Sequence, residues 1–465
     1  MTIPRNRIAT IALVAAHVAL LNGVFAVGFS PESRENDERA KWHRGEATTW
    51  SAIRLYFSKN YDERLYYELA NLTLGFSVSA ERALDTGSRL LDKLAPFDPP
   101  RARLPYRDIP IEYPALALLA FIPPRLVTAL WGGDFTDYQH ILGLFLTAFT
   151  LGSIFFAYRT LRRLGLIGRR GPVPLLALSL LFHFGLGVIS THRFDPLVAF
   201  FVAAMLDALT AGRLKTAAIL LALGVSTKIY PLFLAPLLVI PTLVDRRFAD
   251  AARSGAVFSL ALALVNLPPL LASPSGYVAM LSFQGERGVL MESTYGSILL
   301  VAHVLFGYDV TRTLTHGSWE LVSSASSTLV SLSHIVLPAA IAAVYAAFAR
   351  AILKNKEATA RNILALDAAL AIVAALLAFS KIFSPQFVLW LFPLAFLSTH
   401  HRKRRVVALI TAAFLTQIYF PRAYPILYQT FNPALVTVLF LRNAAVGFLF
   451  FDALVGLWRS KARHA

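Results

Sequence analysis

The sequence contains no cysteine. A disulfide, a thiolate nucleophile and any metal site built on sulfur are therefore excluded. Charge is scarce as well. Asp, Glu, Lys and Arg make up 15% of the 465 residues, against roughly 25% in a soluble domain, which excludes an ordinary soluble protein. No HExxH, Walker A, GxSxG or CxxC pattern occurs, so zinc protease, P-loop ATPase and lipase readings have no support. No internal repeat of the kind common in transporters is visible.

What is abundant is apolar: 56% of the chain. The 44 basic residues outnumber the 27 acidic ones, for a net charge of +17. A basic surplus can mean nucleic acid, but nucleic-acid binders need a charged surface, so no such partner is expected. The other source is membrane topology, where Lys and Arg collect on the cytoplasmic side.

A helix needs about 20 mostly apolar residues to cross the hydrocarbon. Hydropathy marks crossings near 8–28, 139–158, 172–190, 195–211, 214–228, 230–245, 253–272, 323–350, 362–379, 384–399, 405–420 and 434–457. The first is expected to remain as an anchor, because its apolar run exceeds a signal peptide's and no small-residue cleavage site follows. Twelve crossings put every basic cluster on one side. These are Arg5 and Arg7; Arg159, Arg162, Arg163, Arg169 and Arg170; Arg213 and Lys215; Arg246, Arg247 and Arg253; Arg350, Lys354, Lys356 and Arg361; Arg402, Lys403, Arg404 and Arg405; and Arg459, Lys461 and Arg463. Both termini are then cytoplasmic. The solution requires 113–131 not to cross, and Pro123-Pro124 is expected to break it into a re-entrant or interfacial segment. A thirteenth crossing there would put the five-arginine cluster outside.

The expectation is one integral membrane domain over 1–465, all-α and polytopic. It has a long outer loop at 29–112 and a second at 273–322. The first loop carries 14 acidic and 13 basic residues, over half of all the acids. An enzyme working at the outer face needs such a loop. Within it Asn60 and Glu63 suit a capping box, and Leu65, Leu69 and Leu72 recur at helical spacing. The spacing predicts an amphipathic helix lying flat on the membrane. Asp62 falls in its first turn, where a carboxylate matches the helix dipole. Spacing alone fits a surface acid there. The prolines of 104–114 predict extended backbone that holds Arg107, Asp108 and Glu112 at the interface.

Eight basic residues lie outside the long loop and the cytoplasmic clusters: Arg125, Arg193, Lys228, Arg287, Arg312, Lys381, Arg422 and Arg442. Ionisable groups at membrane depth face a cavity or a partner. Arginine's planar fork and lysine's point charge both suit a lipid phosphate. Pairing with Asp195, Glu286 or Glu292 is the alternative. His192 and His303 also sit at outer ends, as hydrogen-bonding candidates.

Several stretches together resemble the bacterial polytopic glycosyltransferases of family 87, which have the GT-C fold and include polyprenyl-phosphate-mannose-dependent α-mannosyltransferases. The stretches are Tyr61-Asp-Glu-Arg-Leu-Tyr-Tyr67, Pro105-Tyr-Arg-Asp-Ile-Pro-Ile-Glu-Tyr-Pro114, His192-Arg-Phe-Asp-Pro196 and Thr227-Lys-Ile-Tyr-Pro231. Glu286-Arg-Gly-Val-Leu-Met-Glu-Ser293, Lys381-Ile-Phe-Ser-Pro-Gln386 with Leu389-Trp390 and Pro393, and Leu441-Arg-Asn443 complete the series. They run in order over most of the chain. The segment from Gly75 to Pro105 is longer than the family usually has, and Tyr113-Pro-Ala replaces a common Tyr-Pro-Pro.

The resemblance implies a GT-C-like bundle of about twelve transmembrane helices in the cell (inner) membrane, active on the outer face. It implies an inverting hexosyltransferase that moves a hexose, commonly mannose, from a polyprenyl-phosphate sugar to a glycolipid or glycan acceptor. Asp62 is then the general base, with Asp108 and Glu112 as alternative acids. Arg193, Lys228, Arg287 and Arg442 would bind the donor phosphate. His192, Asp195, Glu292 and Gln386 would bind the sugar or orient the cations. No cofactor and no metal are expected. The competing functions are a transporter or flippase of a lipid-linked saccharide, and a membrane scaffold whose loop binds a partner.

Overall fold

The computed structural model describes residues 5–28, 61–76, 102–167, 171–283, 285–398 and 402–460. Asn60 and most of the 29–112 loop lie outside these. So do the side chains of Arg5, residues 23–28, Tyr61, Asp62 and Arg402.

The described chain is almost entirely helical. In order it forms α1 (Arg5–Gly28), α2 (Tyr61–Leu74), α3 (Leu118–Ala129), α4 (Phe135–Arg163), α5 (Val173–Leu186), α6 (Ile189–His192), α7 (Asp195–Thr210), α8 (Leu214–Thr227) and α9 (Pro236–Val244). Then come α10 (Phe248–Ala272), α11 (Pro274–Ser282), β1 (Val289–Leu290), α12 (Thr294–Phe306), β2 (Thr311–Thr315), β3 (Ser318–Val322), α13 (Ser326–Lys354) and α14 (Ala358–Phe379). The chain ends with α15 (Phe392–Leu397), α16 (Arg402–Tyr419), α17 (Tyr424–Thr430) and α18 (Pro433–Arg459). Short 3-10 turns cover Ala115–Ala117, Tyr230–Leu234 and Pro385–Leu391.

Among the described residues five helices are long and apolar enough to cross a membrane: α4, α10, α13, α14 and α18. A sixth arises if the bent pair Lys403–Tyr419 and Tyr424–Thr430, angled at 71°, counts as one span. The other marked stretches hold shorter apolar helices, among them Val173–Leu186, Leu214–Thr227 and Pro385–Leu397.

Composition sorts these helices by position. A helix apolar all round needs apolar surroundings on every side. α14 is rich in alanine and leucine, and its residues from Ile363 to Ala378 are buried without a break. Its small side chains let α13, α18 and the 385–397 segment pack on several sides. α10 is equally apolar, but only Ser254 is buried, so it lies at the rim. α4 starts cleanly because Asp134 accepts hydrogen bonds from Thr136 N and Asp137 N, and Asp137 reaches back to Asp134 N.

The basic clusters gather at one end of the bundle. Buried Asp207 takes Arg159 at 3.2 Å, Arg163 at 2.7 Å and Arg213 at 3.2 Å. Arg361 pairs with Asp245 at 2.7 Å, and Asn362 Nδ2 donates to Thr210 O. Arg350 reaches the carbonyl of Trp458. Arg405, fully buried, lies between Asp367 and Asp452. These contacts join the loops near 163, 210, 245 and 355 to one another, while Arg350, Arg404 and Arg405 reach the last turns of α18.

Three sequence expectations are corrected here. Pro123 and Pro124 do not break 113–131: α3 continues through both. Both lie inside the helix and remove the donors that would have met the carbonyls of Leu119 and Ala120, yet the helix carries on to Ala129. At 12 residues α3 is about 18 Å long, short of a ~30 Å hydrocarbon core. The 104–114 stretch is not simply extended. It turns at Tyr106, whose φ is 68°, and closes with Tyr106 N to Ile109 O at 2.8 Å and Asp108 N to Leu104 O at 2.9 Å. Lastly, α2 is not buried along a single stripe. Glu63, Arg64, Leu65, Tyr66, Glu68, Leu69, Ala70 and Asn71 are all buried. The polar face is covered too, because Arg64 pairs with Glu68 at 3.1 Å and Arg125 Nε donates to Asn71 at 2.6 Å.

The 273–322 region is folded. β1 and β2 flank β3 in an antiparallel sheet, with Val289 opposite Leu321 and Thr311 opposite Val322. The β2–β3 turn holds only His316 and Gly317, with φ of 49° and 68°. Tight two-residue hairpins favour this left-handed pair.

Candidate functional site

Away from the basic end, buried charged side chains from distant parts of the chain form two clusters. The first surrounds the start of α7. Asp195 opens that helix and is 1% exposed. Its Oδ1 accepts from Lys228 Nζ at 2.7 Å and from Trp390 Nε1 at 2.5 Å. Lys228 ends α8 in extended conformation, so its side chain leaves the helix. Its ammonium lies 4.8 Å from the Phe194 ring, 5.0 Å from Phe387 and 5.2 Å from Trp390. Trp390 is itself stacked between Tyr230 at 4.1 Å and Phe387 at 4.0 Å. A carboxylate and three aromatic faces thus offset the cost of holding this cation out of water. His192, at the end of α6, is buried with its Nδ1 against Glu63 Oε1 of α2. Asp62 precedes Glu63 in the first turn of α2, and its side chain lies outside the described residues. Arg193, half-buried, lies between His192 and Phe194 in the chain.

The second cluster surrounds Glu292, in the turn between β1 and α12. Glu292 is 3% exposed. Tyr424 Oη donates to its Oε1. Its backbone carbonyl accepts from Arg442 Nη2 at 3.2 Å and from Asn443 Nδ2 at 3.3 Å. Asn443 Nδ2 also reaches Ser293 O at 3.1 Å and Ser297 Oγ at 3.0 Å. Arg442 is fully buried, contacts Tyr419 Oη, and packs its guanidinium 3.8 Å from the Phe383 ring centre. Arg287 is half-buried and donates to His316 O at 2.8 Å. Burial pulls its pKa down against the opposing pull of Glu112, Tyr113, Glu320 and Glu292. Burial pushes the Glu292 carboxyl up, opposed by the Tyr424 hydrogen bond and by Arg442 and Arg287.

One stretch touches both clusters. Lys381 Nζ donates to Gly285 O at 2.8 Å, and Lys381 O accepts from Leu290 N at 3.0 Å. A few residues on, Phe387 and Trp390 wall the Lys228 side. Half-buried Gln386 lies between these contacts in the chain.

The residues proposed from sequence therefore divide. His192, Asp195 and Lys228 share the first cluster. Glu112, Arg287, Glu292 and Arg442 share the second. Asp108 belongs to neither: it is exposed, accepts from Leu104 N at 2.9 Å and sits 3.6 Å from Arg107. Sequence reasoning missed Glu63, Tyr419, Tyr424 and Glu320 as site neighbours. Glu63 had been given a capping role. The tyrosines end or follow an apolar run with no local mark of function. Among the described residues no group of three or more His, Asp or Glu is arranged to hold a metal ion.

The turn carrying Glu292 leaves no room beneath it. A Cβ on Gly296 would lie 2.3 Å from Leu290 O and 2.5 Å from Met291 O. Both are backbone atoms, so Gly296→Ala must displace the segment that leads into Glu292. The expected cost is about 1–3 kcal/mol, read as a lowered thermal midpoint in detergent. An unchanged midpoint would show that the turn is not tightly held.

No protein-family model matches the chain, and no curated protein is significantly similar to it.

Proposed function

We propose that the protein is a membrane-embedded, inverting hexosyltransferase that uses a polyprenyl-phosphate sugar, commonly mannose, and acts on a glycolipid or glycan acceptor. The carrying observation is the assembly of two buried charged clusters, Asp195–Lys228 and Glu292–Arg442, at the end away from the basic loops. Buried charges in an apolar bundle are costly, and their usual justification is a polar substrate. In this reading the marked stretches make a GT-C-like bundle of twelve crossings. The basic end faces the cytoplasm with both termini, and the site faces outward.

The chemistry needs a base on one side of the sugar and cations on the other. Asp62 takes the proton of the acceptor hydroxyl. The acceptor oxygen then bonds to the anomeric carbon as the bond from that carbon to the phosphate oxygen breaks. The electron pair leaves with the lipid phosphate, and the anomeric centre inverts. The cations that would bind the phosphate and offset the charge growing on it come from among Arg193, Lys228, Arg287 and Arg442. Asp195 fixes Lys228, while Glu292, Gln386 and His192 would contact the sugar or hold the cations.

The test is transfer of radiolabelled mannose from polyprenyl-phosphate mannose, by purified protein in liposomes, to a panel of glycolipid acceptors. A labelled glycosidic product is expected. Lipid movement across the bilayer with no such product would replace this reading with a flippase.

A further inference from the structure

Several polar atoms around Glu292 are buried with no hydrogen-bond partner among the described residues: Glu292 Oε2, Arg287 Nε, Arg442 Nε and Nη1, Thr294 Oγ1, Tyr295 Oη and Asn443 Oδ1. Buried polar atoms of this kind are normally satisfied. A single turn, 292–295, and its two arginine neighbours thus present both donors and acceptors. That mixture defines the ligand chemistry. The phosphodiester of a polyprenyl-phosphate sugar accepts hydrogen bonds but has no proton to give a carboxylate, and the Glu292 carboxylate opposes its charge. A hydroxyl does both, donating to a carboxylate oxygen and accepting from a guanidinium. Arginine facing carboxylates is also poorly placed as a phosphate clamp, and Arg287 is surrounded by Glu112, Glu320 and Glu292.

We infer that Glu292 Oε2, with Arg287 beside it, forms a sugar-hydroxyl subsite, and that Arg442 and Asn443 position Glu292 instead of gripping the donor phosphate. The phosphate is then left to Arg193 and Lys228. Tyr424 completes the subsite by holding Oε1, which aims Oε2 at the ligand. This assignment rests on the hexosyltransferase reading. It separates two groups of cations that the sequence resemblance places together.

The test compares the affinities of wild type and Glu292→Gln for three probes: polyprenyl-phosphate mannose, polyprenyl phosphate and octyl mannoside. Glutamine keeps the size and removes the charge. Losing a hydrogen bond to a charged group is worth about tenfold or more in affinity. The expected result is about tenfold weaker binding of a mannose-bearing probe, with polyprenyl phosphate held within about twofold. Weakening of the phosphate-linked mannose assigns the subsite to the donor sugar, and weakening of octyl mannoside alone assigns it to the acceptor. Unchanged binding of both mannose probes overturns the subsite, as does equal weakening of polyprenyl phosphate. If Glu292→Gln fails to fold, Tyr424→Phe carries the same three measurements and is judged by the same outcomes. Failure of wild type to bind any of the probes would overturn the hexosyltransferase reading instead.

Discussion

Asp62→Asn is expected to lower the turnover number of sugar transfer by at least about a hundredfold while leaving the protein folded. A positioned general base contributes roughly 10²–10⁴-fold. An asparagine keeps the shape and loses the capacity to take the acceptor proton. The effect should fall on turnover, with donor affinity little changed, because the base acts on the acceptor oxygen. Asp62 stands one residue before Glu63, which is buried against His192. That contact anchors the first turn of α2 to the turn leading into Arg193. Glu63→Gln is therefore a useful companion, since it should loosen the placement of Asp62 without removing the base. Wild-type turnover in Asp62→Asn would reject the assignment. Glu112 would then be the next acid to test, because Asp108 is exposed and spends its carboxylate on closing a turn.

The largest effect on stability is expected from Arg405→Met. Arg405 has no exposed surface. Its Nη1 donates to Asp367 Oδ1 at 2.7 Å and its Nε to Asp452 Oδ2 at 2.5 Å. Removing the arginine leaves two buried carboxylates short of their counter-charge. Breaking a buried ion pair from one side costs about 3–5 kcal/mol. The neighbouring Arg404 still touches Asp452, so Asp367, to which Ser398 Oγ donates at 2.8 Å, bears more of the loss. The measurement is the thermal midpoint of the purified protein in detergent. Adding Asp367→Leu to Arg405→Met should recover part of the loss, because an apolar pair of similar volume needs no counter-charge. A single variant as stable as wild type would show that this triad contributes little.

These two predictions draw on different levels of information. Asp62 was legible in the chain itself, through a helix start in an acid-rich segment and through its resemblance to a family. Arg405 was legible only as part of a basic run, Arg402 to Arg405, whose four members look alike in sequence. Folding separates them: Arg405 is buried between two acids, while Arg404 is partly exposed. The sequence cannot show this, because Asp367 and Asp452 lie 38 and 47 residues away.

The same contrast runs through the site. Hydropathy located most of the apolar helices, since period and composition are local properties, but it read α12 as part of an outer loop. It misjudged α2, whose polar face looked solvent-exposed. Glu63, Glu68 and Asn71 are polar because they meet His192, Arg64 and Arg125, and a residue's own pattern does not reveal whether water or protein lies opposite. Pro123-Pro124 misled for a related reason. Two hydrogen bonds lost inside a helix do not end it when neighbouring helices pack against it, as α2 and α4 do against α3.

The scarcity of charge and the +17 surplus were sequence facts, and they sufficed to define an apolar, mostly helical chain with basic loops. What the tertiary structure decided is which of the few remaining charges meet. It paired Lys228 with Asp195, set Arg287 among acids, and buried Arg442 beneath the Glu292 turn. The Lys228–Asp195 and Arg442–Glu292 contacts span 33 and 150 residues of sequence. Chemistry at such a site depends on distances between side chains, and only the packing of helices fixes them.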